Sequence, residues 1–190
     1  ITLCPHEFIM LVSNSNAKKT ALAKFTSYST PIKKINEYKT GLWGIKPRNK
    51  EQAYAANILM DQTVPIVTIV GKAGTGKTLL TLGAALEQVI EKERYSRIVV
   101  SRPVQPMGKD IGFLPGDITE KMLPWLMPIQ DNLQFLMGND KSTLEMYLEK
   151  GTIEIEALTY IRGRSISNAF IIIDEAQNLS RHELKTIITR

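Results

Sequence analysis

The stretch "IVTIVGKAGTGKTLLTLGAAL", residues 66–86, decides the fold. Its apolar opening, rich in β-branched residues and preceded by Pro65, reads as a short parallel strand buried on both faces. The run stops at Gly71. From there Gly71-Lys72-Ala73-Gly74-Thr75-Gly76-Lys77-Thr78 matches G-x-x-x-x-G-K-[ST] at every fixed position. Glycines let such a loop turn its backbone N–H groups inward around a phosphate chain, and the helix that follows adds a favourable field at its N-terminus. In this reading residues 71–78 cradle the phosphates, Lys77 bridges the terminal ones, and the Thr78 hydroxyl ligates Mg²⁺.

Working outward, helical periodicity continues through "KTLLTLGAALEQVIEKE", 77–93, and "RIVVS", 97–101, reads as a second strand. A Gly/Pro-rich loop, 102–117, precedes a helical region at 118–138 that the prolines at 124 and 128 are expected to break or bend. A shorter helix (142–151), a strand (152–158), a buried strand "FIIID" (170–174) and a last helix capped by Ser180 follow. Alternation of this kind predicts an α/β protein with a parallel sheet flanked by helices.

The strand "FIIID" ends in the second chemical element, Asp174-Glu175-Ala176-Gln177. An acid at the tip of a buried strand beside a phosphate loop suits the Mg²⁺ shell, and Asp174 fits. The next carboxylate, Glu175, points to where it can polarise an attacking water. No NKxD-type base-reading motif is present, so the chain reads as an ATPase rather than a GTPase. Nothing resembles the lid or acceptor pocket of a small-molecule kinase. Upstream, Gln52 stands near the start of a helix that precedes the phosphate loop. Its amide donor and acceptor suit the adenine edge.

Two loops are candidates for a second ligand. The loop at the end of the second strand carries Ser101, Arg102 and Lys109, at the sheet edge where ligands bind in open α/β folds. The segment "TYIRGRS", 159–165, carries Arg162 and Arg164. These residues are candidates to grip nucleic-acid phosphate or, for the arginines, to reach a neighbouring subunit's nucleotide. Trp125, Met127, Leu133, Phe135 and Met137 lie at helical spacing and read as core or interface packing. His6 and His182 are isolated, without the spacing of a zinc site.

The 190 residues carry a net charge of +5, unevenly placed. Residues 1–50 hold nine Lys/Arg and two acids, a net of +7, and the remainder holds fifteen and seventeen, a net of −2. A polyanionic partner for the N-terminal quarter and an ordinary solvated linker surface are equally good readings. That quarter shows short β-like runs, "FIMLVS" and "TALAKFTSY", joined by a turn-rich "NSNAKK". The single cysteine, Cys4, allows no internal disulfide and suits a reducing, cytoplasmic setting. The apolar opening is too short to span a bilayer, and no membrane role is expected. A chain that starts at Ile1 is expected to be a piece of something longer.

"GIKPRNKEQ", "TIVGKAGTGKT", "VVSRPVQPMGKDIGFLPG", "YIRGRS" and "FIIIDEAQN" together resemble the PhoH-like ATPases in order and spacing, over about residues 41–190. The resemblance implies a RecA-like P-loop NTPase core related to superfamily 1 helicases. It further implies Mg²⁺-dependent ATP hydrolysis, RNA as the polymer, and a homo-oligomeric, hexameric ring with sites at subunit interfaces. Gln177 would sense the γ-phosphate. Residues 1–40 resemble the β-rich connector of members that carry a PIN-type ribonuclease domain ahead of the ATPase, so the expected division is 1–40 and 41–190. The family continues past Arg190 through another strand with a polar sensor, so the ATPase domain is expected to be incomplete here. The function expected is an RNA-directed ATPase motor. The alternative is a nucleotide-controlled ring-assembly module that gates a partner domain without translocation.

Overall fold

The apolar runs at 8–12 and 20–24 pair as an antiparallel hairpin, β1 (Phe8–Val12) and β2 (Thr20–Lys24), with Phe8 opposite Lys24 and Val12 opposite Thr20. The computed structural model describes residues 2–103, 118–157 and 166–189. It divides into two compact units, 1–71 and 72–190.

In the first unit a two-residue strand, β3 (Lys33–Lys34), completes a sheet of order β1-β2-β3. Helix α1 (Lys50–Leu59) begins at Asn49, whose side chain accepts the Gln52 N–H at 2.8 Å. Three contacts tie α1 and the turn after it to the sheet segment. Phe8 stacks on Tyr54 with centroids 4.9 Å apart. Asn57 exchanges two hydrogen bonds with the Asn36 backbone, and Lys24 Nζ meets Asp61 Oδ2 at 2.7 Å. Ala23, Phe25, Ile35, Leu42, Ala56 and Leu59 form the buried interior. Helix α1 thus packs with the small sheet.

The run 65–70, expected as a buried strand, is irregular, and Ile66 and Val70 are exposed. Composition identified an apolar extended segment, but a doubly buried strand also needs a neighbour on each side. The sheet of the second unit forms without it.

That sheet has β4 (Arg97–Arg102) at its centre, flanked in parallel by β5 (Ile153–Ala157) and β6 (Ala169–Ile173). Ile98 faces Ile153 on one side and Phe170 on the other, and Ser101 faces Ile173. Helix α2 (Lys77–Leu86) lies against β6, α3 (Ile118–Leu136) against β4, and α4 (Lys141–Glu149) against β5. Helix α5 (Arg181–Ile188) and the turn before it cover the face of Val99 through Leu179 and Ile187. On the opposite face Ile98 and Val100 are wholly buried, as are Leu82 and Leu86 of α2 and Ile129 and Leu133 of α3. The product is an α/β layer structure with a parallel sheet between helices.

Two helices depart from expectation. Helix α2 runs on as expected, but residues 87–91 wind as a π-helix around the buried Gln88. Helix α3 is one element across both prolines. Pro128 lies on the exposed side of this helix. On α3 the buried stripe is Ile129, Leu133 and Leu136, while Met127 and Phe135 are exposed. Of the expected core residues with described burial there, only Leu133 is deep in it.

Candidate active site

Gly74 and Gly76 adopt φ of +74° and +79°, which lets residues 72–76 curl into a loop that a Cβ would strain. Gly76 is the N-cap of α2 and makes no side-chain cap, and the first turn carries no acid. Within the loop the Thr75 hydroxyl donates to the Lys72 carbonyl at 2.8 Å, and the Lys77 ammonium donates to the same oxygen at 2.9 Å. The loop thus holds its own lysine folded back along it. Gly71 falls at the end of the first unit.

One residue into α2, the Thr78 hydroxyl donates to Asp174 Oδ1 at 2.8 Å. Asp174 stands directly after β6, and its N–H extends the ladder by donating to the Ser101 carbonyl at 2.9 Å. Its side chain is mostly buried. A threonine hydroxyl and a carboxylate in contact, both hard oxygen donors beside a phosphate-type loop, are the donor set that Mg²⁺ accepts alongside phosphate oxygens and water. The residues present therefore fit the metal that the motif implies.

Glu175 follows in the left-handed region, φ +52° and ψ +40°. A non-glycine residue held there costs roughly 1–3 kcal/mol and is retained where the surroundings over-determine it, often at active sites. A 3₁₀ turn over Ala176–Asn178 fixes it, with the Asn178 N–H donating to the Glu175 carbonyl at 3.0 Å. Gln177 Nε2 donates to Glu175 Oε2. The two expected catalytic side chains of this turn are thus in direct contact.

A family model described as PhoH-like protein matches residues 44–190. The chain belongs to the PhoH family. PhoH proteins are a P-loop ATPase family. PhoH2 of Bacillus subtilis is 47% identical over 188 residues, covering 98% of this chain and 42% of that protein. PhoH2 of Mycolicibacterium smegmatis is 43% identical over 150 residues, covering 78% of this chain and 34% of that protein. A PhoH-like protein of Mycobacterium leprae is 36% identical over 146 residues, covering 77% and 40%. The chain therefore spans 34–42% of the length of these PhoH relatives.

The remaining candidates of this PhoH chain are distributed unevenly. Gln52 lies on α1 in the first unit, and its Oε1 accepts the Arg48 N–H at 2.7 Å. The Gln52 N–H donates to Asn49 and its side chain accepts from Arg48, so both ends of the residue serve the helix start. Ser101 is wholly buried, and among the described residues its hydroxyl has no partner. In this conformation it offers no surface to a polymer, because the strand's alternation turns it into the layer under α5. Lys109, Arg162 and Arg164 lie outside the described residues. Among the described residues no helix is long and apolar enough to cross a membrane.

Sequence reasoning missed the position of Arg102. Its two η nitrogens stand 3.9 Å from Asp174 Oδ2 and 4.0 Å from Glu175 Oε1. It faces the acidic turn of its own chain.

Proposed function

We propose that this chain is the ATP-hydrolysing part of an RNA-directed motor built on a RecA-like core related to superfamily 1 helicases. The observation that carries the proposal is the hydrogen bond from Thr78 to Asp174, which joins the phosphate loop to the acidic turn that holds Glu175. A loop alone binds nucleotide. A loop joined to two carboxylates at a strand tip has the groups that hydrolysis needs.

In this reading the loop N–H groups and Lys77 hold the phosphates of ATP, and Gln52 contacts the adenine. Thr78 and Asp174 hold Mg²⁺, which when bound neutralises developing charge on the phosphates. Glu175 orients the attacking water and accepts its proton as oxygen bonds to the γ-phosphorus and the bond to the β-phosphate oxygen breaks. Gln177 senses the γ-phosphate, a reading that its hydrogen bond to Glu175 supports.

RNA is the proposed polymer, supported by the basic N-terminal quarter and by Lys109, Arg162 and Arg164 in the sequence. The proposed assembly is a hexameric ring in the cytoplasm, with residues 1–40 connecting the ATPase domain, 41–190, to a PIN-type ribonuclease domain in the same chain. The assembly-module reading draws on one observation, the exposed Met127 and Phe135 on α3, which suit a subunit contact.

The test is ATP hydrolysis and strand displacement by the full-length chain on a tailed RNA duplex. RNA-stimulated turnover with displacement is expected. Turnover that RNA leaves unchanged, without displacement, would favour the assembly module.

A further inference from the structure

Parallel register places Arg102 and Asp174 side by side. Ser101 pairs with Ile173, and the Asp174 N–H donates to the Ser101 carbonyl, so the next pair along the two strands is Arg102 with Asp174. Neighbours in a parallel pair share a face. Residues 98, 100 and 102 of β4 alternate onto the face away from Val99, where the buried residues of α2 lie. The Arg102 side chain is therefore directed to the side of the sheet that bears the phosphate loop.

The charges there are divided with little overlap. Asp174 gives Oδ1 to Thr78 and turns Oδ2 to Arg102. Glu175 gives Oε2 to Gln177 and turns Oε1 to Arg102. One planar guanidinium thus addresses two carboxylates, one η nitrogen to each, a geometry that an ammonium cannot reproduce. The separations of 3.9 and 4.0 Å mark ion pairs that are not closed into hydrogen bonds. Two adjacent carboxylates repel, and a shared cation between them fixes their spacing.

We propose that Arg102 is a positioning residue of the hydrolytic site acting within its own chain, with its guanidinium setting the spacing and charge of the metal-holding Asp174 and the water-activating Glu175. It is then neither a polymer contact nor a finger for a neighbour's nucleotide. The inference rests on the hydrolytic reading of these carboxylates, and it adds a cation that competes with a metal for Asp174.

The test combines a binding measurement with turnover, both on the full-length chain. Mn²⁺ binding without nucleotide, followed by electron paramagnetic resonance, is compared among wild type, Arg102→Gln and Arg102→Lys. Removing the competing charge in Arg102→Gln should tighten Mn²⁺ by about fivefold. Arg102→Lys keeps the charge and should bind Mn²⁺ as wild type does. Both variants should lose kcat for ATP, Gln by about 30-fold and Lys by less, with KM nearly unchanged. Equal Mn²⁺ affinity in Arg102→Gln and wild type would overturn the proposal. So would loss of RNA stimulation with RNA-free turnover intact, the mark of a polymer contact. Should Arg102→Gln fail to fold, Arg102→Lys decides alone: reduced kcat with wild-type Mn²⁺ affinity supports the proposal, and wild-type kcat overturns it. A chain that hydrolyses no ATP would sink the hydrolytic reading, while the Mn²⁺ comparison would still report on Arg102.

Discussion

The Thr78 hydroxyl and Asp174 Oδ1 are 96 positions apart in sequence and 2.8 Å apart in space. This hydrogen bond fixes the first turn of α2 to the tip of β6. It also brings together two oxygen donors of the kind that a hard metal ion accepts. Replacing Thr78 by Val keeps the shape and removes the donor. The half-buried bond should cost about 1 kcal/mol of stability, read by urea denaturation. The same variant should lose the Mg²⁺ dependence of ATP affinity, read by titrating nucleotide with and without a chelator.

Glu175 combines the carboxylate proposed to activate water with an unfavourable backbone, φ +52°. Glu175→Ala and Glu175→Gly both lack the carboxylate, so comparing them isolates the backbone. The glycine variant should be the more stable by about 1 kcal/mol, because only alanine keeps the left-handed penalty. Thermal denaturation of the pair reads it directly. Equal stabilities would show that the turn relaxes once the side chain is gone.

In the first unit Lys24 and Thr63 hold the Asp61 carboxyl well down, from 3.8 to about 2. The folded pKa lies below the unfolded one, so the contribution is fully present above about pH 4 and is lost as pH falls through 2. Its size is about 1–2 kcal/mol once partial exposure is allowed for. Lys24→Met should flatten the loss of stability between pH 4 and pH 2, read by acid titration of the circular dichroism signal.

The segment Gly41-Leu42-Trp43-Gly44-Ile45 folds onto itself, with Leu42 wholly buried and bridged to Ile45. At Gly41, φ +89°, an added Cβ would stand 2.7 Å from the Ile45 carbonyl carbon and oxygen. At Gly44, φ +77°, it would meet nothing within 4 Å. Gly41→Ala should therefore cost about 2–4 kcal/mol and Gly44→Ala only about 1 kcal/mol, compared by chemical denaturation. Similar losses in both would contradict the close approach at Gly41.

The parts legible in the sequence are those coded by local chemistry. The phosphate loop needs its glycines where they stand, and Gly74 and Gly76 both adopt positive φ. The strands at 97–102 and 169–173 are marked by short apolar runs and 153–157 by its alternation, and Ser180 announces the start of α5, where the structure adds Glu183 as the other half of a capping box. What escaped depends on pairing between distant segments. Arg102 reads as a loop arginine until register sets it beside Asp174, seventy-two residues on. Ser101 looks available until α5 covers its face. Residues 65–70 have the composition of a buried strand, but composition does not supply neighbours. Met127 and Phe135 share helical spacing with Leu133 yet lie outside the stripe that Ile129, Leu133 and Leu136 define.

The central claim is that Asp174 and Glu175 turn a phosphate-holding loop into a site that hydrolyses ATP. The most direct measurement is single-turnover phosphate release from γ-labelled ATP by the full-length chain, beside ATP binding, for wild type, Lys77→Ala and Glu175→Gln. Glu175→Gln should bind ATP as wild type does yet release phosphate at least about 100-fold more slowly, and Lys77→Ala should lose binding. Phosphate release by Glu175→Gln at the wild-type rate would contradict the account.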